Sequence, residues 1–122
     1  MTRSRPRVLL VDDEPAILES TRMLLAEMGY DVLCVAHASD ILPALRRERP
    51  DLLVQDVRMP GLDVQALVQE MRGEPELAKI PVLLFSASMD LDEIAARIGA
   101  ARHLEKPFKP NELAQAIEGA LS

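Results

Sequence analysis

Four short apolar runs dominate this chain: Val8-Leu9-Leu10-Val11, Val32-Leu33-Cys34-Val35-Ala36, Leu52-Leu53-Val54 and Val82-Leu83-Leu84-Phe85. None alternates apolar with polar residues. Each therefore predicts a strand buried on both faces, as in a parallel sheet covered by helices on either side. Between the runs the apolar period becomes helical. Ile17, Thr21, Leu24, Leu25 and Met28 share one face, and Gly29 sits where a helix stops. Val64, Leu67, Val68 and Met71 follow Asp63, a ready N-cap. Leu91, Ile94, Ala95 and Ile98 precede Gly99, while Leu113, Ala116, Ile117, Ala120 and Leu121 follow Pro110, a residue suited to a first turn. A less regular helix runs from Ile41 to Arg47; Pro43 fits there only within the first turn, with Ser39 or Asp40 as the cap. Arg102-His103-Leu104-Glu105 is less hydrophobic and predicts a fifth strand at a sheet edge.

Strand followed by helix, five times over, predicts an α/β doubly wound parallel sheet with right-handed crossovers. The stretch from Arg72 to Lys79, with Gly73 and Pro75, reads as a surface loop. No repeat, low-complexity tract or linker interrupts the pattern, so residues 1–122 are expected to form one domain.

Composition removes several classes of function. No apolar run approaches the roughly 18 residues that span a bilayer, and Met1-Thr-Arg-Ser-Arg-Pro lacks the apolar stretch of a signal peptide. A single cysteine, Cys34, excludes an internal disulfide framework and fits a reducing cytoplasm. The net charge of −6 and a pI near 4.9 argue against nucleic-acid binding, and aromatic residues at 2% leave no stacking platform. Arg3, Arg5 and Arg7 read as a solvated N-terminal lead.

Ligands of open parallel sheets gather outside the carboxyl ends of the strands. The first strand ends in Asp12-Asp13-Glu14, the third in Asp56, the fourth in Ser86 and the fifth in Lys106, just before Pro107. Singly, these could be a capping turn, a turn residue, a strand-end hydroxyl and a surface charge. Their convergence on one rim points to chemistry instead. Carboxylates packed within a few ångströms disfavour one another's ionisation, and a divalent cation with oxygen ligands removes the conflict. Mg²⁺ suits few carboxylates, some water and a phosphate. One carboxylate could then attack phosphorus, with a lysine and a hydroxyl holding the phosphoryl oxygens.

The segments Arg7 to Pro15, Asp51 to Gly61, Pro81 to Ala87 and Gly99 to Phe108 resemble, in order, the motifs of the receiver domain of two-component response regulators. The likeness runs from about residue 7 to 121, and the single-domain chemotaxis regulators are the nearest type. It implies a (βα)5, flavodoxin-like fold with strand order 2-1-3-4-5. It implies Asp56 as phosphoacceptor, supplied by a sensor histidine kinase or a histidine phosphotransfer protein. Mg²⁺ would be held by Asp13, Asp56 and the Arg58 backbone carbonyl, with Asp12 acting through water. Lys106 would pair with the phosphoryl group or with Asp56, and Ser86 would be the switch hydroxyl, joined by the Ala87 backbone amide. Lys106–Pro107 would be a cis peptide. Arg58 and Ser88 occupy positions that tune phosphoryl lifetime in the family. A downstream protein would dock on the fourth helix, fifth strand and fifth helix, and the molecule would be a monomer or weak dimer.

The chain also departs from the family. His103 stands where an aromatic switch residue is usual, and it can still swing and pack, although it is smaller and titratable. His37 lacks partners at ligand spacing and reads as a loop residue. The Ser86 to Gly99 segment is about two residues short for the family, which predicts a short fourth helix. Lys109 replaces a capping Ser or Asp, which predicts a poorly capped last helix. An aspartyl-phosphate phosphatase on a similar sheet would need an acid–base carboxylate two residues after the nucleophile; Arg58 is there instead. Two contexts stay open: a stand-alone regulator, as the start at Met1 suggests, or a receiver from a longer response regulator or hybrid histidine kinase.

Overall fold

A computed structural model describes residues 5–87 and 90–122. The elements run β1 (Arg7–Val11), α1 (Pro15–Glu27), β2 (Asp31–Val35), α2 (Ile41–Glu48), β3 (Leu52–Asp56), α3 (Val64–Arg72), β4 (Val82–Ser86), α4 (Leu91–Ile98), β5 (Arg102–Glu105) and α5 (Pro110–Leu121). All strand pairs are parallel, and the sheet order is β2-β1-β3-β4-β5.

The continuous apolar runs work as double-sided strands. On β1, Leu9 and Val11 join a cluster with α2, α3 and α4, through Ile41, Leu45, Leu67, Met71 and Leu91. Val8 and Leu10 join a second cluster with α1 and α5, through Leu25, Leu113 and Ile117. A period of two thus sends successive apolar residues into opposite layers. β3 and β4 are buried throughout. β2 lies at a sheet edge, as the order 2-1-3-4-5 requires, but it departs from the expected burial on both faces: it is only half-buried and leaves Cys34 exposed. An apolar run cannot report which neighbour is missing. β5 forms the other edge and is largely exposed.

Local chemistry sets the helix ends. Pro15 and Pro110 open α1 and α5, where a missing N–H leaves no bond unmade. The Asp63 side chain accepts the Ala66 N–H at 3.1 Å and caps α3. Gly29 (φ 97°) follows the end of α1 and Gly99 (φ 71°) that of α4, both in the left-handed region that glycine enters freely. Two expectations need correction. Neither Ser39 nor Asp40 caps α2 by its side chain; a 3₁₀ turn over Ala38–Asp40 leads directly into the helix. α5 is better held than Lys109 suggested, because the Glu112 carboxylate reaches back to accept the Lys109 N–H at 2.7 Å. Arg7 is no solvated lead either. It starts β1, and its guanidinium meets Asp31 at 3.1 Å and Glu48 at 3.2 Å. α4 is short, at 8 residues.

Candidate functional site

Parallel pairing brings the carboxyl ends of β1, β3, β4 and β5 to one rim. Two backbone bonds extend the ladder beyond the strand ends and hold the site residues there. The Asp12 N–H donates to Val35 O at 3.2 Å, and the Lys106 N–H donates to Ser86 O at 3.0 Å. Asp12 is therefore held beside β2, and Lys106 beside the end of β4. The Lys106–Pro107 peptide is cis.

Ligand oxygens of Asp12, Asp13 and Asp56 lie within 4.8 Å of one another. Asp12 is fully buried and Asp56 is 5% exposed. Both Asp12 oxygens are engaged: Oδ1 accepts the Glu14 N–H at 2.9 Å, and Oδ2 accepts from Lys106 Nζ at 2.6 Å. The ammonium is 3.7 Å from Asp56 Oδ1 and lies 4.5 Å from the centroid of the Phe85 ring. Lys106 thus lies within ion-pair reach of both carboxylates and closer to Asp12 than to Asp56.

Burial pushes the Asp56 carboxyl up to about 6. The Lys106 charge and the Arg58 backbone N–H oppose that rise, while Asp12 and Asp13 add to it by like-charge repulsion. A hard cation is the physical remedy for such a cluster. Three carboxylates whose oxygens sit this close form a donor set that fits Mg²⁺.

A cleft of about 590 Å³ opens above Asp56, lined by Glu14, Arg58, Ser86, Ala87, Asp90 and Lys106. Asp13 faces a neighbouring groove bordered by His37 and Gly61. The Arg58 side chain is largely exposed and reaches Asp90 at 3.4 Å, from the β3–α3 loop to the start of α4. Asp90 was not expected at this site, and nothing in its spacing marks it. His103 lies away from the cleft on β5, with Nε2 2.6 Å from Asp92 Oδ1 on α4. Ser88 lies outside the described residues.

The chain is similar to known proteins in sequence and fold. Residues 8–118 match the family model of the response regulator receiver domain. The DNA-binding response regulator MtrA of Mycolicibacterium smegmatis is 30% identical over 123 residues, covering 99% of this chain and 53% of that protein. The chain spans about half the length of the curated relatives it matches. The chemotaxis protein CheY4 of Vibrio cholerae superposes with a TM-score of 0.87 at 27% identity, covering 97% of this chain and all of that one. The receiver domain of sensor histidine kinase PA1611 from Pseudomonas aeruginosa, whose structure holds a magnesium ion in its active-site cleft, gives a TM-score of 0.87 at 27% identity, covering 97% of this chain and 98% of that one. By sequence and by fold, this chain belongs to the response regulator receiver domains of two-component signalling systems.

Proposed function

We propose that Asp56 accepts a phosphoryl group from a phosphohistidine of a sensor histidine kinase or a histidine phosphotransfer protein, and that the modification changes a partner-docking face. The supporting observation is the grouping of Asp12, Asp13 and Asp56 oxygens within 4.8 Å, with the Lys106 ammonium reaching two of them, at one end of a parallel sheet. Receivers accept phosphoryl groups and are not enzymes in the ordinary sense. Chemistry here concerns the chain's own aspartyl phosphate.

In the transfer, an Asp56 oxygen bonds to phosphorus as the phosphorus–nitrogen bond of the donor breaks, and the departing imidazole keeps the electron pair. Mg²⁺, held by Asp13, Asp56 and the Arg58 carbonyl with Asp12 through water, would supply positive charge for the phosphoryl oxygens. Lys106 supplies a second positive charge at the same place, from an ammonium already anchored on Asp12. Ser86 and Ala87 line the same cleft, and we assign the Ser86 hydroxyl and the Ala87 amide to the phosphoryl oxygens. Arg58 and Asp90, joined across the mouth, control access of water, and Arg58 thereby sets phosphoryl lifetime; we assign Ser88 the same role from its sequence position.

His103 takes the switch position on β5, beside α4, and we place the docking face on α4, β5 and α5. Receivers interact with histidine kinases and downstream effectors. The acceptor role holds equally for a stand-alone regulator or a receiver within a longer protein, and we read residues 7–121 as one receiver unit, monomeric or weakly dimeric. No helix among the described residues is long and apolar enough to cross a membrane; the cytoplasmic location and the lack of nucleic-acid contact rest on composition. Incubation with Mg²⁺ and acetyl phosphate should add one phosphoryl group by intact mass, and Asp56→Ala should add none. Labelling that survives Asp56→Ala would exclude this reading.

A further inference from the structure

Gln55 immediately precedes Asp56 on β3 and is fully buried. Its cross-strand neighbours are Val11 of β1 and Leu84 of β4, both in the apolar cluster beneath α2, α3 and α4. A carboxamide is a poor choice for such a place. Burying it lowers stability unless its hydrogen bonds are made, and a leucine or methionine would fill the same space. Its bonds are made on one side only. Nε2 donates to the Asp56 carbonyl oxygen at 2.8 Å and contacts Met59 Sδ at 3.6 Å. Both neighbours are acceptors, which fixes the NH₂ end toward them. Oε1 is buried and finds no donor among the described residues.

The two partners bracket the bend from Asp56, at the end of β3, to Met59. That bend carries the Arg58 N–H, which bonds the Asp56 carboxylate, and it leads into a turn closed by the Leu62 N–H donating to Met59 O at 3.1 Å. We infer that Gln55 is a positioning residue, bracing from below the bend that aims the Asp56 carboxylate and the Arg58 backbone at the cation and the incoming phosphoryl group. The inference rests on the acceptor reading of Asp56. Nothing in it requires Gln55 to touch substrate.

Gln55→Met and Gln55→Leu separate this role from packing. Each removes the brace and, with it, the unpartnered Oε1, so the melting temperature should hold or rise. Mg²⁺ affinity by calorimetry should nevertheless fall by about three- to tenfold, the equivalent of one neutral hydrogen bond. Amide exchange at Arg58 and Met59 should quicken, and phosphorylation by acetyl phosphate should slow by a similar factor. Unchanged Mg²⁺ affinity and unchanged exchange in a folded variant would overturn the inference, and so would failure of both variants to fold, which would make Gln55 a packing residue. Wild-type protein that takes no phosphoryl group would refute the acceptor reading itself; labelled wild type with indifferent variants refutes the brace alone.

Discussion

Lys106 Nζ lies 2.6 Å from Asp12 Oδ2 but 3.7 Å from Asp56 Oδ1, so the lysine's closer partner is not the proposed phosphoacceptor. The anchoring has a reason. Asp12 is fully buried and its other oxygen is held by the Glu14 N–H, which gives the ammonium a fixed post. From there its field still reaches the Asp56 carboxyl.

Removing that charge should move Asp56. Lys106→Met deletes the largest influence opposing the upward push of burial, so the carboxyl should titrate above about 6. Carbon NMR of the Asp56 carboxyl in metal-free buffer reads this directly. Phosphorylation by acetyl phosphate should slow by about 10²-fold, as when one charge-stabilising donor is lost.

The raised carboxyl also sets a pH dependence of stability. Folded Asp56 holds its proton to about 6, whereas the ordinary value is 3.8, so the folded state binds more protons between the two. Stability conferred by this group therefore falls as pH rises through that window, by about 3 kcal/mol at completion. Asp56→Asn should raise the unfolding free energy at pH 7.5 without metal by an amount approaching this, and the gain should vanish below 3.8. Urea melts at both pH values check it; an unchanged or lower stability at pH 7.5 would contradict the burial account.

Much of this architecture is legible in the sequence, for identifiable reasons. Runs such as Val82 to Phe85 mark interior strands because both faces are covered, and Asp12, Asp56, Ser86 and Lys106 stand at run ends, where parallel topology gathers them. Partner choice is hidden. That Lys106 meets Asp12 before Asp56 depends on where a flexible side chain settles across 94 residues of separation. Arg58 with Asp90, and His103 with Asp92, are likewise contacts between loops or elements with no shared period. Gln55 is easily missed because one polar residue beside a strand end looks like the end itself.

His103 should report on the switch. Its ring is held toward α4 by Asp92, in a pair exposed enough to be worth at most about 1 kcal/mol. Asp92→Ala should thus shift the ring's conformers by less than about fivefold, and phosphorylation should shift them further. Ring carbon and proton shifts of His103 measure both; a ring that ignores phosphorylation would remove it from the switch.

Gly119 lies within α5, where the Arg102 guanidinium packs against the helix. A Cβ built there would collide with Arg102 Nε. The obstruction is the far end of a flexible, exposed side chain, so it can yield. Gly119→Ala should therefore stabilise the protein by a few tenths to about 1 kcal/mol, through helix propensity, with Arg102 displaced from α5. A lowered melting temperature would show that the guanidinium contact outweighs propensity.

Borohydride trapping of phosphorylated protein is the most direct measurement of the central claim. An aspartyl phosphate is an acyl phosphate, which borohydride reduces to homoserine, and peptide mass mapping then locates the altered residue. Homoserine should appear at position 56 only in samples given Mg²⁺ and phosphodonor. Homoserine at Asp12 or Asp13, or an unaltered Asp56 in protein that carries phosphate, would contradict the account.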